Sequence, residues 1–148
     1  MKLFTRLLRP TSIAYAHCDG PCGVYDPSSA RVAAEAVLSM EKKVAALGDA
    51  QDAATANTRT RFIAIKEQQA EIAKRELDIL WHDYFKPEHL EKYPNLHDTF
   101  WKAAKLCSKN KTEQDAANGE ALLQAIEEIH KMFWATKGRD VPFYRANP

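Results

Sequence analysis

Glycine is scarce in this chain, at five in 148 residues, and with abundant Ala, Glu, Lys and Leu that scarcity leans the composition towards helix. Cysteine is rarer still. Three residues are too few for a disulfide scaffold. No apolar run is long enough to cross a bilayer, which excludes a spanning helix. Neither sign of charge dominates. With 21 basic and 20 acidic residues the formal charge is +1, so nothing calls for nucleic acid or an anionic membrane as a partner. Signals for strands are missing as well, and the length suits one domain with a sizeable core.

What is present is helical periodicity. After Asp26-Pro27, Ser28 or Ser29 is placed to cap a first helix with Ala33, Val37, Met40, Val44 and Leu47 on one face, ending near Gly48. Asp49 to Asn57 is small and polar and reads as a loop. Asn57 or Thr58 then caps a second helix bearing Phe62, Ile65, Ile72, Ile79 and Leu80 and running to about Tyr84. Pro87 and Pro94 impose a bent connector with one short helical turn. Asn95 caps a third helix through Leu96, Phe100, Ala103, Ala104 and Cys107, stopping around Lys109-Asn110. Thr112-Glu113-Gln114-Asp115 resembles a capping box and opens a fourth helix, with Leu122, Ile126, Ile129 and Phe133, that Gly138 ends. The tail from Arg139 is expected along the surface or at a subunit contact. These elements predict an all-α fold, an antiparallel four-helix bundle with an N-terminal metal-binding hook outside it. Cys107 reads as a small buried apolar residue.

The hook is His17-Cys18-Asp19-Gly20-Pro21-Cys22-Gly23-Val24-Tyr25. Two soft sulfurs and an imidazole within six residues form a transition-metal ligand set. Gly20-Pro21 bends the chain between the cysteines, so that both sulfurs can converge on one ion. Ahead of it, residues 1–16 carry Lys2, Arg6 and Arg9 without an acid. Ala14-Tyr15-Ala16 looks like the small-x-small sequence that precedes a cleavage point. A leader removed on maturation is expected, leaving 17–148 as the hook and bundle domain. A secretory signal and a mitochondrial transit peptide are the competing readings of this segment, although Arg6, Arg9 and Pro10 interrupt the apolar core a secretory signal needs.

The run from His17 to Pro27 resembles the nickel hook of nickel-containing superoxide dismutases. Trp81-His82-Asp83-Tyr84-Phe85-Lys86-Pro87, followed by Glu91-Lys92-Tyr93-Pro94, resembles a second stretch of that family. The resemblance covers residues 17 to about 137. It implies dismutation of superoxide to dioxygen and hydrogen peroxide, with nickel alternating between divalent and trivalent states. The metal ligands it implies are His17, Cys18 and Cys22. Spacing makes their chemistry intelligible: once the peptide bond before His17 is cut, the new α-amine, the Cys18 backbone nitrogen and the Cys18 sulfur can close two five-membered chelate rings. Cys22 then completes the plane of two nitrogens and two sulfurs that suits divalent nickel. In the resembled family the imidazole matching His17 is an axial ligand in the oxidised state.

The resemblance also implies that Tyr25 and Tyr84 lie beside the nickel, limit access to it and hold ordered water. Asp19 matches the hook's own acidic residue, and Lys86 either draws in an anion or is a solvated surface lysine. It further implies a homohexamer, a processing protease and cytoplasmic operation, with export as the alternative. Some members of the family carry a Glu in the first helix that orients the axial imidazole and an Arg in the second helix behind it. Here Ala33 and Gln69 occupy those positions. His82, His89, His97 and His130 share no ligand spacing and read as surface or packing residues, and Trp81, Trp101, Trp134 and Phe133 as core or interface aromatics. A nickel-delivery or nickel-sensing bundle is the alternative function for the same hook, and a non-catalytic helical module with a Cys18–Cys22 disulfide is a third.

Overall fold

A computed structural model describes residues 23–146. The leader, together with His17, Cys18, Asp19 and Cys22, lies outside the described residues. Five α-helices and one π-helical turn make up the rest: α1 (Ser28–Ala46), α2 (Ala53–Ile79) with the turn Leu80–Tyr84 at its end, α3 (Pro87–Lys92), α4 (Leu96–Thr112) and α5 (Ala116–Thr136). Among the described residues there is no strand. The four long helices pack as a ring in which α1 touches α2 and α5, and α4 touches the same two. Short connections make sequence neighbours antiparallel, the up-down topology of a four-helix bundle.

Helix starts differ from expectation where a better-placed acceptor lies near the expected cap. Pro27 stands at the cap position of α1 with φ −68°, already in the helical range, and has no side-chain bond to offer. Asp26 Oδ1 takes the Ser28 N–H instead, at 2.8 Å, so neither Ser28 nor Ser29 acts as the cap. α2 begins at Ala53, ahead of Asn57 and Thr58. Asp52 Oδ1 accepts from the Thr55 N–H at 3.0 Å, and the Thr55 hydroxyl donates to Oδ2 at 2.6 Å. α4 runs two residues past Asn110 to Thr112. The cap of α5 is Asp115 rather than Thr112, its Oδ1 accepting from the Ala117 N–H at 2.9 Å. Gly138 does end that helix, with φ 65° in the left-handed region that glycine enters without strain.

Large side chains from α4 and α5 fill the core: Phe100, Leu122, Ile126, Ile129 and Phe133 are all at most 1% exposed. Burying each contributes about 1.5–3 kcal/mol against conformational entropy. In the same cluster, α1 and α2 present mostly small residues, Ala30, Ala33, Ala34 and Ala73, which let the two helices approach closely. This overturns the expected face of α2. Ala70, Ala73 and Leu77 turn inward, while Ile65 and Ile72 are exposed and Phe62 is half-buried. Of the expected face only Leu80 is buried. The tail folds back along the bundle. The His130 Nε2–H donates to Val141 O at 2.7 Å, Arg145 pairs with Glu120 at 2.6 Å, and the Ala146 N–H donates to Glu35 Oε2 at 2.7 Å.

Candidate active site

At one end of the bundle, the strand of chain that leaves the hook meets the end of α2. The π turn closes with the Phe85 N–H donating to Leu80 O at 3.1 Å, five residues back. Such a turn widens the helix and redirects the side chains it carries, and it recurs at functional sites. Here it carries Trp81, His82, Asp83 and Tyr84. Trp81 stacks on Phe100, with ring centroids 6.0 Å apart, and its indole N–H donates to His97 Nδ1 at 2.8 Å, which anchors the turn on α4.

Tyr84 is held on several sides. Its ring centroid lies 4.4 Å from that of Phe133, 5.1 Å from Phe85 and 5.5 Å from Tyr25. His89 stacks on it at 5.9 Å with a 17° tilt, and the Lys137 Nζ stands 5.4 Å from the ring centre. The hydroxyl meets Thr136 Oγ1 at 2.6 Å. The structure therefore brings Tyr25 and Tyr84 together, half-buried at a cavity of about 280 Å³. Gly23, Asp83, Lys86, Glu88 and His89 complete its wall. Gly23 immediately follows Cys22 in the chain, so the sulfur-bearing segment begins where this wall begins. Lys86 is exposed at its rim.

Sequence reasoning missed the hold that α5 has on this site. Phe133, Thr136 and Lys137 fall within one helical turn, and that spacing was the available signal. Lys137 Nζ stands 4.9 Å from the Phe133 ring and 5.9 Å from Trp134 as well, a cation over three aromatic faces. His89, expected only to pack, both stacks on Tyr84 and accepts the Lys86 N–H on Nδ1 at 3.1 Å. Trp101 is exposed, with Lys105 Nζ 5.5 Å over its ring.

No group of three or more His, Cys, Asp or Glu side chains that could hold a metal occurs among the described residues. Cys107 is fully buried, and burial pushes its thiol up to about 12, so it supplies no thiolate. The donor set of the hook, two cysteines and one histidine, therefore remains the chain's source of soft ligands, and it fits nickel.

Residues 12–137 match the family described as nickel-containing superoxide dismutase. The superoxide dismutase [Ni] of Streptomyces seoulensis is 46% identical over 135 residues, which is 91% of this chain and 98% of that protein. The protein of the same name from Streptomyces coelicolor is 44% identical over the same share. Among solved structures, a native nickel superoxide dismutase superposes with a TM-score of 0.75 at 46% identity, covering 83% of this chain and 100% of that one. A nickel-containing superoxide dismutase with the nickel ligation of its oxidised state gives 0.74 at 47% identity, over the same shares. Two local motifs, a helical bundle that brings both tyrosines to one cavity, and this extent of similarity place the chain in the nickel-containing superoxide dismutase family.

Proposed function

We propose that this chain, freed of residues 1–16, dismutates superoxide: two superoxide anions and two protons give one dioxygen and one hydrogen peroxide, one anion losing the electron that the other gains. Belonging to the family supports the reaction and the metal. The observation that carries the assignment of residues is the Tyr25–Tyr84 pair at 5.5 Å, on a wall that starts one residue after Cys22.

His17, Cys18 and Cys22 would hold nickel, His17 through its freed amine and imidazole, Cys18 through its backbone nitrogen and sulfur, and Cys22 through its sulfur. When bound, nickel supplies the one-electron change between divalent and trivalent states. The thiolates and the Cys18 amide nitrogen, deprotonated on binding, would be strong donors that bring its potential into the range between the two superoxide half-reactions. Tyr25 and Tyr84 would narrow the approach at the cavity and so shield the oxidisable thiolates from solvent peroxide. Lys86 at the rim favours entry of an anion.

The direct test uses protein made to begin at His17, with metal analysis and superoxide consumption measured on the same sample. Cys18→Ser and Cys22→Ser should each abolish nickel binding and activity while leaving helical content nearly intact, because the hook precedes the bundle. Dismutase activity retained in either variant would sink the ligand assignment.

Assembly, processing and location belong to the same proposal. Exposed Ile63, Ile65 and Ile72 on α2 support a homo-oligomer, and the resemblance points to six copies. Sedimentation velocity should give a single hexameric species, and Ile72→Glu should shift it towards smaller ones. A processing protease would cut after Ala16, and the mature protein would work in the cytoplasm. Fractionation and N-terminal sequencing check both.

A further inference from the structure

We propose that Thr136 is a positioning residue that commits the Tyr84 hydroxyl to donate into the protein, so that Tyr84 faces the active-site cavity as a hydrogen-bond acceptor. The inference rests on the placement of Tyr84 at the site given above. It starts from the end of α5. There the Lys137 N–H donates to Trp134 O, three residues back, instead of continuing the helical ladder to Phe133 O. The freed Phe133 carbonyl takes the Thr136 hydroxyl, at 2.6 Å.

A carbonyl oxygen only accepts, and a threonine hydroxyl has a single hydrogen, so that hydrogen is spent on Phe133. The contact of 2.6 Å between Tyr84 Oη and Thr136 Oγ1 can then have only one direction: the phenol donates. With its hydrogen committed, the phenolic oxygen has only lone pairs left to offer. It can receive a hydrogen bond from water, but it cannot donate one to superoxide, which is itself an acceptor. The ring has little room to turn away, since Phe133 lies 4.4 Å and His89 5.9 Å from it, and Lys137 Nζ stands 5.4 Å from its centre.

Water held as a donor towards Tyr84 is a proton source beside the site, while a bare anion finds no hydrogen to bind there. The latch thus favours passage of the anion over its capture. Losing the latch would turn Tyr84 into a donor that traps anions.

The test compares Thr136→Val, which replaces the hydroxyl by a methyl group of similar size, with Thr136→Ser, which keeps it. Nickel-loaded protein beginning at His17 is used throughout for activity. Protein labelled with 13C at the tyrosine ζ carbon, loaded with zinc as a diamagnetic substitute, reports the Tyr84 hydroxyl through its deuterium isotope shift, and Tyr84→Phe assigns the signal. We expect Thr136→Val to change that shift, to lower kcat/KM for superoxide about three- to tenfold, as loss of one hydrogen bond implies, and to tighten inhibition by azide by a similar factor. Thr136→Ser should restore all three. An unchanged isotope shift in Thr136→Val would overturn the latch, as would Thr136→Ser behaving like Thr136→Val. Impaired Tyr84→Phe beside unimpaired Thr136→Val would overturn the latch alone. Full activity in Tyr84→Phe would instead remove Tyr84 from the site, and the proposal with it.

Discussion

At the scale of single residues, charge and burial divide the work. Cys107 sits in α4 with its thiol held protonated by burial, so sulfur chemistry is left to the two cysteines of the hook. Lys86 is the reverse case, an exposed cation on the cavity wall. With residues 1–16 removed as proposed, the chain would carry 18 basic against 20 acidic groups, a formal charge of −2, so its overall field would repel superoxide and attraction would have to be local. Lys86→Glu should therefore slow the reaction and invert its dependence on salt at low ionic strength, which stopped-flow measurement over a salt series would read. An unchanged salt profile would leave Lys86 as solvated surface. The two departures from the family pattern also find their places: Ala33 is 2% exposed within the core and Gln69 is half-buried on α2. A methyl group in the core offers the His17 imidazole nothing to bond. Whatever orients that ring in this chain is not a first-helix carboxylate at position 33.

At the scale of elements, the four long helices were legible because their apolar periodicity is strong; the hook stood out in the sequence because its residue types are rare, but its ligands lie outside the described residues. Two things were not legible. The inward face of α2 is built from Ala70, Ala73 and Leu77, and small residues carry little weight in a hydrophobic pattern beside Ile65 and Ile72, although close packing against α1 selects them. The grip on Tyr84 depends on the π turn and on contacts from α5 that are distant in sequence, which no local pattern reports. A third hidden element lies at the other end of the bundle. Glu41 of α1 is fully buried, and neither carboxyl oxygen reaches a hydrogen-bond partner among the described residues. Gly119 of α5 makes room for it, since a Cβ there would fall 2.6 Å from Glu41 Oε2.

Burial pushes the Glu41 carboxyl up to about 7. Lys66 and the nearby Gly119 amide pull the other way, and Asp115 adds to the rise. Lys66, itself buried on α2, spends its ammonium on Glu113 O at 2.5 Å. Because the folded-state pKa lies above the unfolded one, the native state binds the extra proton between pH 4.5 and 7. This group's contribution to stability is then complete below 4.5 and is lost as pH rises to about 7, a cost on the order of 3 kcal/mol. Glu41→Gln should remove that slope. In urea unfolding at pH 5 and pH 8, the wild type should lose stability relative to the variant between the two values, and parallel pH dependences would show that Glu41 does not titrate in this range.

At the scale of the whole molecule, the proposed assignment makes the bundle and the metal site separable, with the bond before His17 joining their fates. The described core takes its residues from positions 30 to 133, and we propose that it forms without the first sixteen. On the same proposal the site needs them removed. While Ala16 remains attached, the nitrogen of His17 is a peptide amide whose lone pair is delocalised, so on the proposed assignment it would not serve as the amine donor. The precursor should therefore fold with the full helical content of the mature protein yet take up nickel weakly and show little activity. Protein cut to begin at His17 should gain both, and a single extra residue ahead of His17 should lower activity sharply. His17→Ala in the mature form separates the two donors of that residue: it keeps the amine and loses the imidazole, so nickel should stay bound while activity falls severely. Circular dichroism, metal analysis and a superoxide assay on the four proteins make the comparison, with mass spectrometry after the assay to confirm each N-terminus. Full activity from a verified intact precursor would show that the terminal amine is not a required ligand, and would move the assignment to a side-chain-only site of the kind a delivery or sensing protein could use.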